Sequence, residues 1–448
     1  MANYTGSIEQ ERYTCALGAL QTVVAIPKAV PILHSGPGCG EMISGFFARS
    51  KGYAGGSTSP CTAFTEKEVV FGGIKHLREN IENTYKVLDT DLQVVMTGCT
   101  GGIVGDDVQG VVDEFVEQGK PIVAVDSPGF KSNNYVAHSS VVNAIIDQYV
   151  TRFEDQNEPR SEKNTVNLIS SIPYQDPFWK SNLAEYRRLL KGLGLKVHVL
   201  FGPDSKGVKE WQQIPRANFN ILVSPWYGKT IADNLKARYD QEYYWFHSVP
   251  IGDNATTAFL NGVLDFAIAH GAELDVEKAK KFIQHQIDSY YEEIDNLATF
   301  LLEFRYGLPR FAHIIHDAGY VVGLSRFLLH ETGIVPAEQF IVDNTPAKYQ
   351  QDILDDLLSI SEKRKISAQF IPDAGKASDI IREIKHEGRG LIIGASWDSD
   401  LAKEKDYCFV EAANPLQMRL VLTTNYVGYT GALRVIEDVY NNALERYR

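Results

Sequence analysis

Three cysteines in the first hundred residues are the side chains best suited to chemistry. They stand in Tyr13-Thr14-Cys15-Ala16-Leu17-Gly18, in Gly36-Pro37-Gly38-Cys39-Gly40 and in Thr97-Gly98-Cys99-Thr100-Gly101-Gly102. No two form a Cys-x-x-Cys pair, which disfavours a one-chain zinc clip or a thioredoxin-type redox motif. Glycines such as Gly38 and Gly98 let backbone approach something bulky. Isolated thiols in that setting suit a chain that supplies half the ligands of an iron-sulfur cluster and leaves the other half to a partner. The competing role is packing, because a free cysteine behaves as a small hydrophobe and five in 448 residues is ordinary usage. A Gly-x-Gly-Cys-Gly turn fills a core poorly, however, and this favours ligation at Cys39.

Other residue patterns point to less. The glycine turn at Gly36 follows a strand, yet its spacing is not Gly-x-Gly-x-x-Gly and Pro37 occupies the turn, so it is no dinucleotide fingerprint. No Gly-x-x-x-x-Gly-Lys-Ser/Thr occurs in the chain, so ATP work falls to a partner. Asp106 and Asp107, after Gly105 at a helix start, read as caps that complement the helix dipole. His313 and His316 flank a strand on opposite faces, which argues for core and surface roles over a shared metal. His34, directly before the glycine turn, is placed for a hydrogen bond to a cluster sulfur. Cys408, in Tyr407-Cys408-Phe409-Val410, reads as a core strand residue.

The elements that must position these groups follow a βαβ rhythm, short β-branched runs alternating with amphipathic helices. Strands are expected near Val30–Leu33, Leu92–Thr97, Ile122–Val125, Val166–Ile169, Lys196–Phe201, Phe219–Val223, Phe311–His313, Ala368–Ile371 and Gly390–Ile393. The charged, Pro159-bearing stretch 154–163 reads as a linker, and the long helical run 276–306 before Gly307-Leu308-Pro309 as a second boundary. The fold class expected is α/β, three doubly wound Rossmann-like domains with parallel sheets, at 1–158, 159–306 and 307–448. Length agrees, since 448 residues exceed one compact core.

A net charge of −13 without a Lys/Arg cluster argues against a nucleic-acid groove. No run approaches the roughly 20 apolar residues of a membrane helix, and Met1-Ala2-Asn3-Tyr4 lacks a signal-peptide pattern, so no membrane and a cytoplasmic location are expected. Thiols there stay reduced.

Neighbouring residues carry a resemblance. Cys39 follows Ala29-Val30-Pro31-Ile32-Leu33-His34, Phe64-Thr65-Glu66-Lys67-Glu68-Val69-Val70-Phe71-Gly72-Gly73 comes next, and Ile103-Val104-Gly105-Asp106-Asp107 follows Cys99. Gly394-Ala395-Ser396-Trp397-Asp398-Ser399-Asp400-Leu401-Ala402 and Tyr426-Val427-Gly428-Tyr429-Thr430-Gly431-Ala432 complete the set. In this order, across nearly the whole chain, they resemble component 1 of the nitrogenase family. The resemblance implies that Cys15, Cys39 and Cys99, 24 and 60 residues apart, ligate one side of an interfacial P-cluster, with Gly38, Gly98 and His34 beside it. It gives Cys61 no place among the three. An 8Fe-7S P-cluster is expected ahead of a 4Fe-4S cluster.

The same resemblance tells the two subunit types apart. An α-type subunit hangs its catalytic cofactor from a middle-domain cysteine and a last-domain histidine. Here the matching stretches, Asn220-Ile221-Leu222-Val223-Ser224-Pro225-Trp226-Tyr227 and 414–428, hold neither. A β-type, electron-relaying subunit is implied, in an α2β2 heterotetramer served by an ATP-hydrolysing iron protein. No catalytic residue is expected on this chain. The N-terminal extension of the molybdenum β-subunit is missing, and Gly129 stands where that form has a serine before the residue matching Phe130. A nitrogenase-like reductase, methylthio-alkane reductase foremost, is the implied enzyme. A non-catalytic scaffold for cofactor assembly is the alternative, and a periplasmic-type binding protein would leave the cysteines without a task.

Overall fold

The strands form where apolar residues run without alternation, as strands covered by helices on both faces require. In the computed structural model, which describes residues 12–49, 59–304 and 308–445, they build three all-parallel sheets. The first sheet is β1 (Ala29–His34), β2 (Leu92–Thr97) and β3 (Ile122–Asp126), in that order. The second contains β4 (Glu162–Ile169), β5 (Lys196–His198), β6 (Ala217–Val223) and β7 (Tyr243–Phe246), in the order β5-β4-β6-β7. The third contains β8 (Phe311–His316), β9 (Val335–Ile341), β10 (Ala368–Phe370), β11 (Gly390–Gly394) and β12 (Cys408–Glu411), ordered β10-β9-β8-β11-β12. The fold is therefore the three-sheet, doubly wound α/β arrangement that the sequence rhythm implies.

β4, β5 and β8 differ from their expected limits by three residues or more, and three strands were not expected. β5 stops at His198, three residues early, where the chain turns toward the helix Val208–Trp211. β7, β9 and β12 escape a search for β-branched runs because they are short, interrupted by Pro336, or mixed in polarity. The expected linker begins inside the 3₁₀ turn Val150–Gln156 and ends within β4, while Gly307 and Met1–Tyr4 lie outside the described residues. The final helix, Gly428–Glu445, packs on the helices Gly252–Ala269 and Val276–Phe304, so the chain returns to the middle unit at its end. Among the described residues no helix is long and apolar enough to cross a membrane.

One core joins the second and third sheets, with Phe219, Ile221, Phe259, Ile314 and Leu391 all buried in a single cluster. The first sheet has a core on each face, and one of them continues into the second unit through Leu222, Ile231 and Leu235. The units are thus packed as one body whose strand ends face shared crevices. The start of the described chain is tied in from far away. Arg12 makes a buried ion pair with Asp398 at 2.7 Å, and Gln175 Nε2 donates to the Arg12 carbonyl at 2.9 Å.

Candidate metal centre

The carboxyl ends of parallel strands, where backbone turns away from the sheet, are where doubly wound folds place ligands. β1 ends at His34, and Cys39 sits in the first turn of the helix Pro37–Arg49, its N–H donating to Gly36 O at 3.2 Å. β2 ends at Thr97, Gly98 caps the next helix, and Cys99 is the first residue of Cys99–Val104. Cys15 arrives from another direction. It is extended, caps the 3₁₀ turn Ala16–Ala19, and makes an antiparallel bridge with Asn133, just after β3. Asn134 Oδ1 accepts the Thr14 N–H and Asn134 N–H donates to Thr14 O, both at 3.0 Å, which fixes the segment carrying the first thiol.

The turn after β3 closes the group. Gly129 N–H donates to Cys99 Sγ at 3.1 Å. A Cβ at Gly129 would lie 3.0 Å from Cys15 Cβ, 3.5 Å from Cys99 Sγ and 3.7 Å from Cys15 Sγ. Cys15 and Cys99 therefore share one small space with this glycine. Cys15 is exposed on one side and crowded on the other, and desolvation there pushes its thiol up, reinforced by the neighbouring Cys39 and Cys99. All three predicted thiols are brought together at the edge of one sheet.

The two glycines singled out from the sequence have different reasons to be glycine. A Cβ at Gly98 would stand 2.5 Å from Ser35 Oγ and 2.9 Å from Leu17 Cδ1, so packing within the chain already demands it. At Gly38 a Cβ would meet nothing within 4 Å. His34 is fully buried with its Nε2 2.9 Å from Asp106 Oδ2, its edge against Phe64, and Gly101 close above the ring. Burial holds its pKa below the usual value, outweighing the carboxylate beside it. Its Nδ1 has no hydrogen-bond partner, and Nε2 is spent on Asp106 and not on a cysteine sulfur.

The acidic pair divides its work. Asp107 caps the helix Val108–Glu117 through Gly110 N–H at 2.9 Å, as expected. Asp106 instead accepts from Gly73 N–H at 2.8 Å as well as from His34, so it ties the 72–73 turn to the end of β1. Cys61 bridges to Leu33, donates its S–H to Ser35 O at 3.3 Å and accepts Ala63 N–H at 3.4 Å. Cys408 is buried in β12 opposite Leu391, a core position. His313 and His316 both lie on β8 but do not meet each other.

Exposed apolar residues stand close to the cysteines along the chain. Met42 lies beyond Cys39, Ile103 beyond Cys99, and Phe130 next to Gly129, with Met42 and Ile103 each 76% exposed.

The crevice between the second and third sheets is built differently. Trp226 Nε1 donates to Asp343 Oδ2 at 2.9 Å, Ala318 N–H reaches the same oxygen at 3.0 Å, and Tyr135 stacks on Trp226. Asn182 joins Asp176 and Tyr320 at 2.9 and 2.8 Å. Burial, with Asp317 close by, pushes Asp343 up to about 6. Across this crevice Ser224 is buried with its Oγ accepting Trp226 N–H, and Pro225 packs against Gly319. Buried protein groups fill this space.

Residues 14–444 match the family model described as nitrogenase component 1 type oxidoreductase. The nitrogenase molybdenum-iron protein beta chain of Clostridium pasteurianum is 23% identical, over 97% of this chain and 92% of its own length. The nitrogenase iron-molybdenum cofactor biosynthesis protein NifE of Methanococcus maripaludis is 26% identical, over 65% of this chain and 58% of its own. Among solved structures, nitrogenase Cp1 at pH 6.5 superposes with a TM-score of 0.78 at 20% identity, covering all of this chain and 95% of that one.

Proposed function

The chain belongs to the nitrogenase component 1 type oxidoreductases, and from that premise we propose that it is the β-type, electron-relaying subunit of a nitrogenase-like reductase. Cys15, Cys39 and Cys99 hold this chain's share of an iron-sulfur cluster at the contact with an α-type partner. The observation that carries this reading is the meeting of Cys15 and Cys99 at Gly129, with Cys39 beside them. The donors fit such a group: three thiols, no competing disulfide, and a glycine where any side chain would intrude.

When bound, an iron-sulfur cluster supplies one-electron transfer at a potential set by its charge and its hydrogen bonds. The chain's own residues prepare for that. Gly129 N–H, already aimed at Cys99 Sγ, lowers the electron density of that thiolate, and Asp106 holds the buried His34 under the turn that carries Cys39. The exposed apolar residues Met42, Ile103 and Phe130 exclude water once a partner covers them. Three thiols on one chain leave the remaining ligands to the α-type subunit in an α2β2 assembly. An ATP-hydrolysing iron protein delivers the electrons, since this chain has no phosphate-binding loop. The filled crevice around Trp226 and Asp343 agrees with a catalytic cofactor on the partner, which reduces a C–S bond or dinitrogen. Methylthio-alkane reductase is the reading we favour among these reductases, and the domains are taken as 1–158, 159–306 and 307–448.

Similarity to NifE favours a second reading, a scaffold on which a cofactor is assembled. Anaerobic co-purification with the α-type chain, with iron, sulfide and heterometal counts, decides between them. Relay requires iron and sulfide at the subunit contact in the proportion of the eight-iron or four-iron cluster, and substrate reduction driven by the iron protein. Transfer of a finished cofactor to an apo-enzyme, without reduction by the complex itself, would replace relay with assembly.

A further inference from the structure

The third sheet carries a second set of metal-ligating side chains, far from the thiols in the sequence and on a different unit. His313 on β8, Glu338 on β9 and His386 in the loop before β11 each bring one donor atom within 4.8 Å of the others. The register between β8 and β9 slips between Ala312 and Ile314, so that Ala337 and Glu338 together face His313. Such a bulge re-aims a side chain. Gln339 repairs the ladder it interrupts, its Nε2 donating to Ala312 O at 3.1 Å and its Oε1 accepting Ile314 N–H at 3.1 Å. The cost of the bulge is therefore met locally, and its result is a carboxylate beside a buried imidazole. His386, its ring tilted against Phe311, lies 2.9 Å from Glu338 Oε2.

We propose that His313, Glu338 and His386 bind a single divalent transition-metal ion of the zinc class. Donors about 2.0–2.1 Å from a tetrahedral ion sit roughly 3.3 Å apart. The separations from Glu338 Oε2 are 3.4 Å to His313 Nδ1 and 2.9 Å to His386 Nε2. Two imidazoles and one carboxylate, with a fourth position open to water, are a zinc-type donor set. His313 is 1% exposed and presents Nδ1 to Glu338, 3.2 Å from its backbone O as well as 3.4 Å from Oε2. Glu338 and His386 remain part exposed, which leaves an entry path from solvent. A bound ion would pin the loop before β11 to the centre of the sheet.

The site is tested on the full chain in its complex by Co2+ titration followed in the visible absorption, with Zn2+ competition. Expected is one saturable Co2+ with d–d bands and no thiolate charge-transfer band, displaced by Zn2+ and raising the Tm. A His386→Ala change weakens it by at least about a hundredfold, since even outer contacts to a metal ligand are worth 10–100-fold. Glu338→Gln does the same, and because both side chains are part exposed these variants fold. A His313→Gln change in the buried position is expected to weaken it equally. Cobalt spectra dominated by sulfur ligation, no saturable binding, or binding untouched by His386→Ala and Glu338→Gln would each overturn the proposal and leave a Glu338–His386 ion pair.

Discussion

At the edge of the first sheet the chain leaves β1 and β2 through Gly36, Gly38 and Gly98, follows β3 with Gly129, and brings three thiols together. At the crevice between the second and third sheets, the equivalent strand ends deliver Ser224, Trp226, Asp317 and Asp343, all buried, with Trp226 donating to Ser224 and Asp343 and the Tyr320 N–H donating to Asp317. The topological position is the same, and doubly wound folds put ligands there. What differs is who occupies it. Small residues leave the first edge unfinished, whereas bulky donors and acceptors finish the second from within. Under the function proposed, the cofactor belongs where the chain has withheld its own side chains.

The strongest test of that contrast replaces one cysteine in each setting. Cys39→Ala is expected to remove the cluster iron from the complex, read by metal analysis, while Cys408→Ala keeps it and loses on the order of 1 kcal/mol of packing. Equal iron loss from both would erase the distinction. Next in size, Trp226→Ala takes a buried ring from the filled crevice and leaves Asp343 short of a donor. A loss of about 3–5 kcal/mol is expected in denaturant unfolding, with iron per folded chain unchanged. Iron lost in proportion to stability would show the crevice to be part of the site.

A third test uses pH. Asp343, raised to about 6, binds a proton more tightly folded than unfolded, so it stabilises the fold below its unfolded pKa near 4 and that stabilisation is lost as pH rises through about 6. Measured as parent minus Asp343→Asn, stability should fall by about 2–3 kcal/mol between pH 4 and 7. A flat difference would mean that the carboxyl is not confined as the hydrogen bonds imply. The smallest effect is expected from Gly129→Ala, whose methyl must displace Cys15 or Cys99. About 1–2 kcal/mol is the cost of such overpacking, and a changed electron paramagnetic resonance signal at retained iron content would sharpen the case for shared space. An unchanged signal would mean that Gly129 merely turns the chain.

Much of the first edge was legible because its signals are local, a strand, a glycine and a cysteine at Cys39 and again at Cys99, whereas Cys15 follows no strand among the described residues and reaches the edge through its bridge to Asn133. The doubly wound class was equally plain, since β2 and β11 carry the apolar runs Val94-Val95-Met96 and Leu391-Ile392-Ile393. What escaped depends on residues far apart in the chain. Gly129 looks like any turn glycine until Cys15, 114 residues earlier, is folded beside it. Asp106 looked like a helix cap because nothing in its neighbourhood announces His34 or Gly73. β9 was missed for its Pro336 and Glu338, and the bulge that tolerates them is also what carries Glu338 to His313. Its donors, spaced 25 and 48 residues apart, match no metal motif that a linear pattern contains.

The ion pair between Arg12 and Asp398 gives the molecule an order in time. Arg12 lies three residues before Cys15, and its partner is 386 residues further along, so synthesis from the N-terminus makes the first thiol early and its anchor near the end. Cys39 and Cys99 take their places once the first sheet forms, and Asn133 and Asn134 can hold Cys15 beside them, whereas Arg12 gains its partner only when the last unit folds. The segment that opens with Arg12 is therefore closed at its outer end only after the whole chain has been made.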